Sequence, residues 1–84
     1  MTTEMVIYSR RDCCLCEEMK AVIRQVARRH PLAIREIDVD TSHELREQFG
    51  REVPVLFINR RKAFKYRVTP SELEKRLRRE SSIS

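Results

Sequence analysis

The three cysteines of this 84-residue chain, Cys13, Cys14 and Cys16, all lie within four positions. Such a cluster cannot link distant parts of the chain, and an odd number of cysteines does not suit the disulfide framework of a small secreted domain. A domain of this length buries only about 60–65% of its unfolded surface. We therefore expect the stability of the domain to be modest. We expect residues 1–84 to form a single domain with an ordered core at about 4–80.

The apolar residues predict where the strands and the first helix lie. Unbroken apolar runs predict buried strands at residues 5–8 and 55–58. Apolar residues at helical spacing predict a helix after the cysteines, which Pro31 ends by about residue 30. Two further segments are rich in strand-forming residues, 32–39 and 63–68, and the phase of the apolar residues in the first predicts a bulge or a late start of the strand.

Helix-capping residues mark two more helices. Thr41, with Glu44 three residues later, is a candidate capping box, and Gly50 stands at the position just after the end of that helix. Thr69, followed by Pro70 and then an acidic residue, marks the start of the last helix. The predicted order is β-α-β-α-β-β-α, with a right-handed parallel crossover and then an antiparallel hairpin. We therefore expect an α/β fold with a four-stranded mixed sheet and helices on both faces.

Positive charge is concentrated in the second half of the chain. Residues 1–42 carry seven basic and seven acidic side chains, whereas residues 43–84 carry eleven and six, which accounts for the whole net charge of +5. A basic surface attracts anionic partners, but the exposed aromatic rings of an RNA-binding sheet are missing, so we expect no nucleic-acid binding. The apolar runs are far shorter than the roughly 20 residues of a membrane-spanning helix, and the N-terminus does not read as a signal peptide. These features predict a cytoplasmic protein.

Cys13 and Cys16 form a C-x-x-C pattern where the first strand gives way to the first helix. A sulfur at a helix N-terminus faces unpaired backbone N–H groups and the positive end of the helix dipole, and both stabilise a thiolate. Arg10 and Arg11 add positive charge nearby. We therefore predict that Cys13 attacks a substrate disulfide and that Cys16, one turn into the helix, resolves the mixed disulfide.

A metal or iron–sulfur site is the main alternative for the cysteine cluster. One C-x-x-C supplies only part of a closed zinc site, so Cys14 and His43 would have to complete the ligand set. Cys14 is expected to be exposed. It is either an adventitious surface thiol or a spare thiol that captures glutathione or protects the site from over-oxidation. A third alternative is an adaptor that binds acidic partners through the basic segment 60–67.

The element order, the C-x-x-C at the first helix and Val53-Pro54 before the third strand resemble the glutaredoxin branch of the thioredoxin-like superfamily, over about residues 4–80. The similarity is closest to small glutaredoxin-like proteins with C-x-L-C, here Cys13 to Cys16, and V-P-V-L, here Val53 to Leu56. This resemblance implies a thioredoxin-like fold and thiol–disulfide oxidoreductase activity.

The resemblance also implies roles for single residues. Pro54 would be a cis-proline beside the disulfide, and the backbone of Val53 would pair with a bound substrate or with glutathione, as an added strand does. Arg10 takes the place of a lysine that meets a glutathione carboxylate in glutaredoxins. An ordinary solvated charge is the alternative for Arg10.

Two segments depart from the pattern of dithiol glutaredoxins. Cys14-Leu15 replaces the usual Pro-Tyr between the cysteines. Residues 65–69 replace a Gly-Gly pair that lets glutathione approach the backbone, and their side chains crowd that approach. Arg67 and the free N–H groups near Thr69 would still attract a carboxylate.

Together these patterns predict a monomeric enzyme with no tightly bound cofactor and no metal. Its partners would be protein or small-molecule disulfides. Glutathione would act as a co-substrate, and an external thiol reductase would restore the dithiol.

Overall fold

A computed structural model describes residues 3–83 of the protein. The predicted order of elements is confirmed, with one added turn of 3-10 helix after the second strand. The elements are β1 (Thr3–Ser9), α1 (Cys14–Ala27), β2 (Leu32–Asp38), the 3-10 turn (Val39–Thr41), α2 (His43–Phe49), β3 (Val55–Ile58), β4 (Arg61–Lys65) and α3 (Pro70–Ile83).

The four strands form one mixed sheet in the order β2-β1-β3-β4. β1 is parallel to β2 and antiparallel to β3, and β3 is antiparallel to β4. The bulge or late start predicted for β2 is wrong, because β2 begins at Leu32 and pairs with β1 in one continuous register. The irregularity lies instead in the β3–β4 pair, between Leu56 and Phe57. β2 is an edge strand whose side chains are mostly exposed, so no core face dictates the phase of its apolar residues.

Helices cover both faces of the sheet, as predicted. α1 and α3 pack on one face around a core of Met5, Ile7, Met19, Ile23, Val26, Leu56, Ile58, Val68, Leu73 and Leu77. The shorter α2 and the 3-10 turn cover the other face around Val39, Phe49 and Val55. Tyr8 belongs to this second cluster, where its ring stacks on Phe49 with the ring centroids 4.5 Å apart. Residues of β1 and β3 therefore alternate between the two cores.

The ends of several elements differ from the sequence-based predictions. α1 ends at Ala27 rather than near residue 30, because the N–H groups of Arg28 and Arg29 donate only three residues back, to the carbonyls of Gln25 and Val26. The cap of α2 is Ser42 rather than Thr41, with the Ser42 hydroxyl accepting from the Leu45 N–H at 3.4 Å.

Gly50 has right-handed helical dihedrals, and a Cβ at this position would collide with the Arg46 carbonyl oxygen. Close approach of the backbone, rather than a left-handed conformation, explains the glycine.

The β3–β4 hairpin turns at Asn59 and Arg60, which both have positive φ, 49° and 71°. Two consecutive residues with positive φ are typical of the tight turns that match the twist of paired strands. β4 ends at Lys65, earlier than the predicted end at residue 68. No helix within residues 3–83 has the length and apolar character needed to cross a bilayer.

Candidate functional site

The sheet topology brings three separate segments to one end of the molecule. β1 leads into the cysteines at this end, and β3 and β4 pair so that Tyr8, Val55 and Lys65 form a row across the sheet. The next row contains Ser9, Pro54 and Tyr66, with the Tyr66 N–H donating to the Pro54 carbonyl at 2.9 Å. The segments before α1, before β3 and after β4 therefore meet at this end of the sheet, which we call the site end.

Cys13 caps the N-terminus of α1 through its own sulfur. Asp12 has φ 54°, a conformation that Asp tolerates, and it turns the chain from β1 towards the helix. Cys13 itself is extended, and its Sγ accepts from the backbone N–H of Cys16 at 3.1 Å. The sulfur thus takes the place of the usual capping hydroxyl or carboxylate, and it faces the positive end of the helix dipole.

Cys13 and Cys16 are joined in a disulfide, with their Cα atoms 5.2 Å apart. Cys13 is half-buried, whereas Cys16 is fully buried beneath it. Cys14 is a free, exposed thiol, as predicted. Cys13 is therefore the sulfur of the pair that a substrate can reach, and Cys16 can be reached only from within the protein.

The segment before β3 carries a free backbone edge. The Val53–Pro54 peptide bond is cis, as the resemblance implies, and Pro54 is fully buried. The structure gives the N–H and carbonyl of Val53 no hydrogen bond within residues 3–83. An extended peptide could pair with these groups in the way that a strand adds to a sheet edge.

Glu52 ties this segment to β4. Its carboxylate accepts from Lys62 Nζ at 3.2 Å and from Lys65 Nζ at 3.3 Å, while its N–H donates to the Phe49 carbonyl at 2.8 Å. The hydrogen bond from Lys62, and then that from Lys65, hold the pKa of the Glu52 carboxyl below its usual value. Two lysines of the basic segment 60–67 are thus engaged within the protein itself.

Arg10 is also held within the protein. Its Nε donates to Asp40 Oδ2 at 3.2 Å, and its guanidinium donates to the Gly50 carbonyl at 3.3 Å. A ligand carboxylate at Arg10 would have to compete with Asp40. Arg11, in contrast, is exposed and has no ion pair within residues 3–83.

The segment after β4 makes a tight γ-turn. The Arg67 N–H donates to the Lys65 carbonyl at 2.8 Å, and Tyr66 between them has φ 68°. A capping box then starts α3. The Thr69 N–H donates to the Glu72 carboxylate, and the Glu72 N–H donates to the Thr69 hydroxyl, both at 3.1 Å. The expectation of free N–H groups here is therefore wrong for Thr69 and Glu72. The Glu72 carboxylate occupies the place expected for a ligand carboxylate.

A charged cluster fastens α1 to β1 and β2 near the site end. Lys20 Nζ contacts Glu36 at 2.7 Å and Glu17 at 2.9 Å, and the hydroxyl of buried Ser9 donates to Glu36 at 3.1 Å. The hydrogen bond to Glu36 is the main reason that the pKa of Lys20 is raised, and the same bond lowers the pKa of Glu36.

The model of one protein family, described as Glutaredoxin-like domain (DUF836), matches residues 4–78 of the chain. The chain belongs to the glutaredoxin-like domain family. None of the curated proteins matches it in sequence.

Solved structures agree with this assignment. The glutaredoxin-like domain superposes on a protein from Nitrosomonas europaea with a TM-score of 0.77 and 26% identity, covering 90% of this chain and 92% of the other. A desulfothioredoxin from Desulfovibrio vulgaris Hildenborough, solved in its reduced form, superposes with a TM-score of 0.68 and 27% identity, covering 89% of this chain and 78% of the other. Thioredoxin 1 from Thermosipho africanus superposes with a TM-score of 0.69 and 20% identity, covering 95% of this chain and 96% of the other. At this identity the comparison shows a similar fold alone. The predicted thioredoxin-like fold is confirmed.

The glutaredoxin-like domain brings Cys13, Cys16, Val53 and Pro54 to the site end, together with Arg67. It gives Arg10 an internal partner. Within residues 3–83, no three His, Cys, Asp or Glu side chains are arranged to hold a metal ion.

Sequence reasoning missed the part played by Glu52. An acidic residue directly before Val53-Pro54, with two lysines in the following hairpin, was the available signal. It also missed Asp40 and Glu36, whose partners lie far away in sequence and become neighbours only through the parallel β1–β2 pair.

Proposed function

We propose that this protein is a thiol–disulfide oxidoreductase that uses Cys13 as nucleophile and Cys16 as resolving thiol. The Cys13 thiolate attacks one sulfur of a substrate disulfide, and the substrate S–S bond breaks, releasing one substrate thiolate that takes up a proton. The Cys16 thiolate then attacks Cys13 Sγ and releases the second substrate thiol. Two electrons pass to the substrate, and the Cys13–Cys16 disulfide remains.

The observation that carries this proposal is the position of the disulfide. The reachable sulfur caps a helix N-terminus, the buried sulfur lies one turn further on, and the free backbone of Val53 lies at the same end of the sheet. The helix N-terminus favours the thiolate that both steps require. Membership of the glutaredoxin-like family, and the likeness to a protein named desulfothioredoxin, support redox chemistry at this site.

A redox titration tests the proposal directly. The protein is equilibrated in glutathione buffers of graded potential, quenched by alkylation, and read by intact mass and peptide mapping. We expect a reversible loss of two hydrogens that maps to Cys13 and Cys16, with Cys14 alkylated in both states. Three thiols that stay reduced at potentials that oxidise ordinary dithiols would contradict the proposal.

Variants in which one cysteine is replaced by serine separate the roles of Cys13 and Cys16. Cys13→Ser should abolish disulfide reduction, while Cys16→Ser should accumulate a mixed disulfide between Cys13 and the substrate. Cys14→Ser is the matched control, because it removes an adjacent thiol outside the disulfide. Full activity in Cys13→Ser would exclude Cys13 as the nucleophile.

The co-reactant and the setting belong to the same proposal. We infer that no cofactor is tightly bound and that an external thiol, glutathione or the dithiol of a reductase, returns the disulfide to the dithiol. We place this monomer in the cytoplasm, where the glutathione pool maintains such an exchange.

No specific observation favours the metal-binding alternative. Metal analysis and a visible spectrum of anaerobically purified protein would test it, and a stoichiometric metal bound through Cys13 would make it the better proposal.

A further inference from the structure

The γ-turn at Lys65–Arg67 has an unusual residue at its centre. Tyr66 has φ 68°, a region that non-glycine residues rarely adopt and that bulky residues adopt least. Its side chain is also one of the few large hydrophobic ones left exposed, at 42%. Residues held in sparsely populated conformations cluster at functional sites, and this turn lies at the site end.

The surroundings of Tyr66 hold it in place. Its N–H is fixed on the Pro54 carbonyl, and Lys65 Nζ lies 5.4 Å from the ring centroid while also bonding to Glu52. Tyr66 and Lys65 therefore contact the same segment that carries the free backbone groups of Val53. Because Pro54 directly follows Val53, a chain that pairs with Val53 would lie close to this turn.

Arg67 adds an uncommitted charge to the same turn. Its guanidinium is exposed and has no ion pair or hydrogen bond within residues 3–83. Two other cations of the segment, Lys62 and Lys65, are occupied by Glu52. The nearby acidic groups have partners too, with Glu72 on the Thr69 N–H and Asp40 on Arg10. Arg67 is thus available to an incoming carboxylate.

We propose that Tyr66 and Arg67 determine substrate choice, favouring an extended acidic peptide disulfide over glutathione disulfide. This inference rests on the proposed function. The peptide pairs with the backbone of Val53, and its carboxylate side chain contacts Arg67. The Tyr66 side chain restricts the access of glutathione, a small tripeptide, to this part of the site. The reaction is unchanged: Cys13 and Cys16 give two electrons to the peptide disulfide, which becomes a dithiol, and the protein disulfide forms.

Charge selection is tested with two synthetic peptides that share one intramolecular disulfide and differ only by Glu or Gln next to a cysteine. Pre-reduced protein is mixed with each peptide at low salt. Samples are quenched with acid and alkylated, and mass spectrometry gives the rate of peptide disulfide reduction. Wild-type protein should react about fivefold faster with the Glu peptide, the size of one exposed ion pair. Arg67→Gln should react with the two peptides at the same rate, because the preference for the Glu peptide is lost. Arg60→Gln, at the opposite end of the sheet, should keep the preference.

Exclusion of glutathione is tested with Tyr66→Gly. Glycine adopts a φ of 68° freely, so this variant should fold at least as well as wild type, which a thermal melt verifies. We expect its rate with glutathione disulfide to rise severalfold, and the ratio of that rate to its rate with the Gln peptide to rise as well.

The outcomes separate two kinds of failure. A preference for the Glu peptide that survives in Arg67→Gln, or an unchanged glutathione rate in Tyr66→Gly, would overturn the proposed selection while leaving the oxidoreductase intact. Wild-type protein that reduces none of the three disulfides would overturn the proposed function, and the inference with it.

Discussion

Lys20→Met should destabilise the protein, because it removes the ion pair to Glu36 that fastens α1 to β2 and the ion pair to Glu17 within α1. Lys20 Nζ lies 2.7 Å from Glu36 and 2.9 Å from Glu17, and its side chain is 22% exposed. Both carboxylates are much more exposed, so each pair falls in the range of screened surface pairs, and we assign about 1 kcal/mol to the two together. For a domain of this size, that loss corresponds to a fall in melting temperature of about 4–8 °C.

The pH dependence of this loss gives the sharper test. The folded-state pKa of Glu36 is lowered, so its contribution is present above the pKa of the unfolded state and is lost as pH falls through the folded value. The pKa of Lys20 is raised, so its contribution is complete below the unfolded value and is lost only as pH rises through the folded one. The difference between wild type and variant should therefore be constant from about pH 5 to 10 and shrink below about pH 4.

Urea unfolding at pH 7 and pH 3 measures this difference. Lys75→Met is the matched control, because Lys75 is exposed on α3 with no ion pair within residues 3–83, and Lys and Met have similar helix propensities. A double-mutant cycle with Glu36→Gln isolates the pair itself. Equal losses at both pH values, or equal losses in Lys75→Met, would refute the reasoning.

Three further predictions concern the core, a helix cap and the site end. Leu73→Ala removes a fully buried side chain and should cost about 3–4 kcal/mol in urea unfolding, whereas a cost below about 1 kcal/mol would mean that this core collapses around the gap. Thr69→Ala should lower the free energy of unfolding by about 1 kcal/mol, because the Glu72 N–H loses its acceptor, and Thr69→Ser should restore it. Equal stability of the two variants would show that the Thr69 hydroxyl does not stabilise the helix. Glu52→Gln should raise KM for a peptide disulfide more than it lowers kcat, because the Val53 segment loses its tie to Lys62 and Lys65. An unchanged KM would show that the Pro54 carbonyl bond to Tyr66 suffices.

The sequence predicted the two central strands well, because their apolar runs are unbroken. Met5–Tyr8 and Val55–Ile58 are apolar on both sides because β1 and β3 lie in the centre of the sheet with a core on each face. Element ends were harder to predict. Thr41 and Ser42 both offer a hydroxyl to α2, and the 3-10 turn that buries Val39 decides between them by placing Thr41 before the cap.

The candidate site was only partly readable from the sequence. The cysteines and Val53-Pro54 are local patterns, and the structure brings them to the same end of the sheet. The resemblance implied a ligand carboxylate for Arg10, with a solvated charge as the alternative. Its partner Asp40 was not readable, because Asp40 is distant in sequence and approaches only when β1 and β2 pair. The turn at Tyr66 left no sequence signal, because its positive φ falls on a tyrosine rather than on the glycine that usually reports such a conformation.

The Cys13 sulfur that caps α1 takes part in two equilibria, the folding of the protein and the oxidation of the cysteine pair. Folding, and oxidation of the Cys13–Cys16 pair, form a closed thermodynamic cycle, so whatever the cap adds to the stability of the reduced form over the oxidised form reappears as a shift in reduction potential. Substitutions far from the cysteines that favour a negative charge at the start of α1 would therefore make the disulfide a stronger oxidant. The difference in folding stability between the reduced and the oxidised protein, and the shift that folding causes in the reduction potential of the cysteine pair, are one free energy measured in two ways.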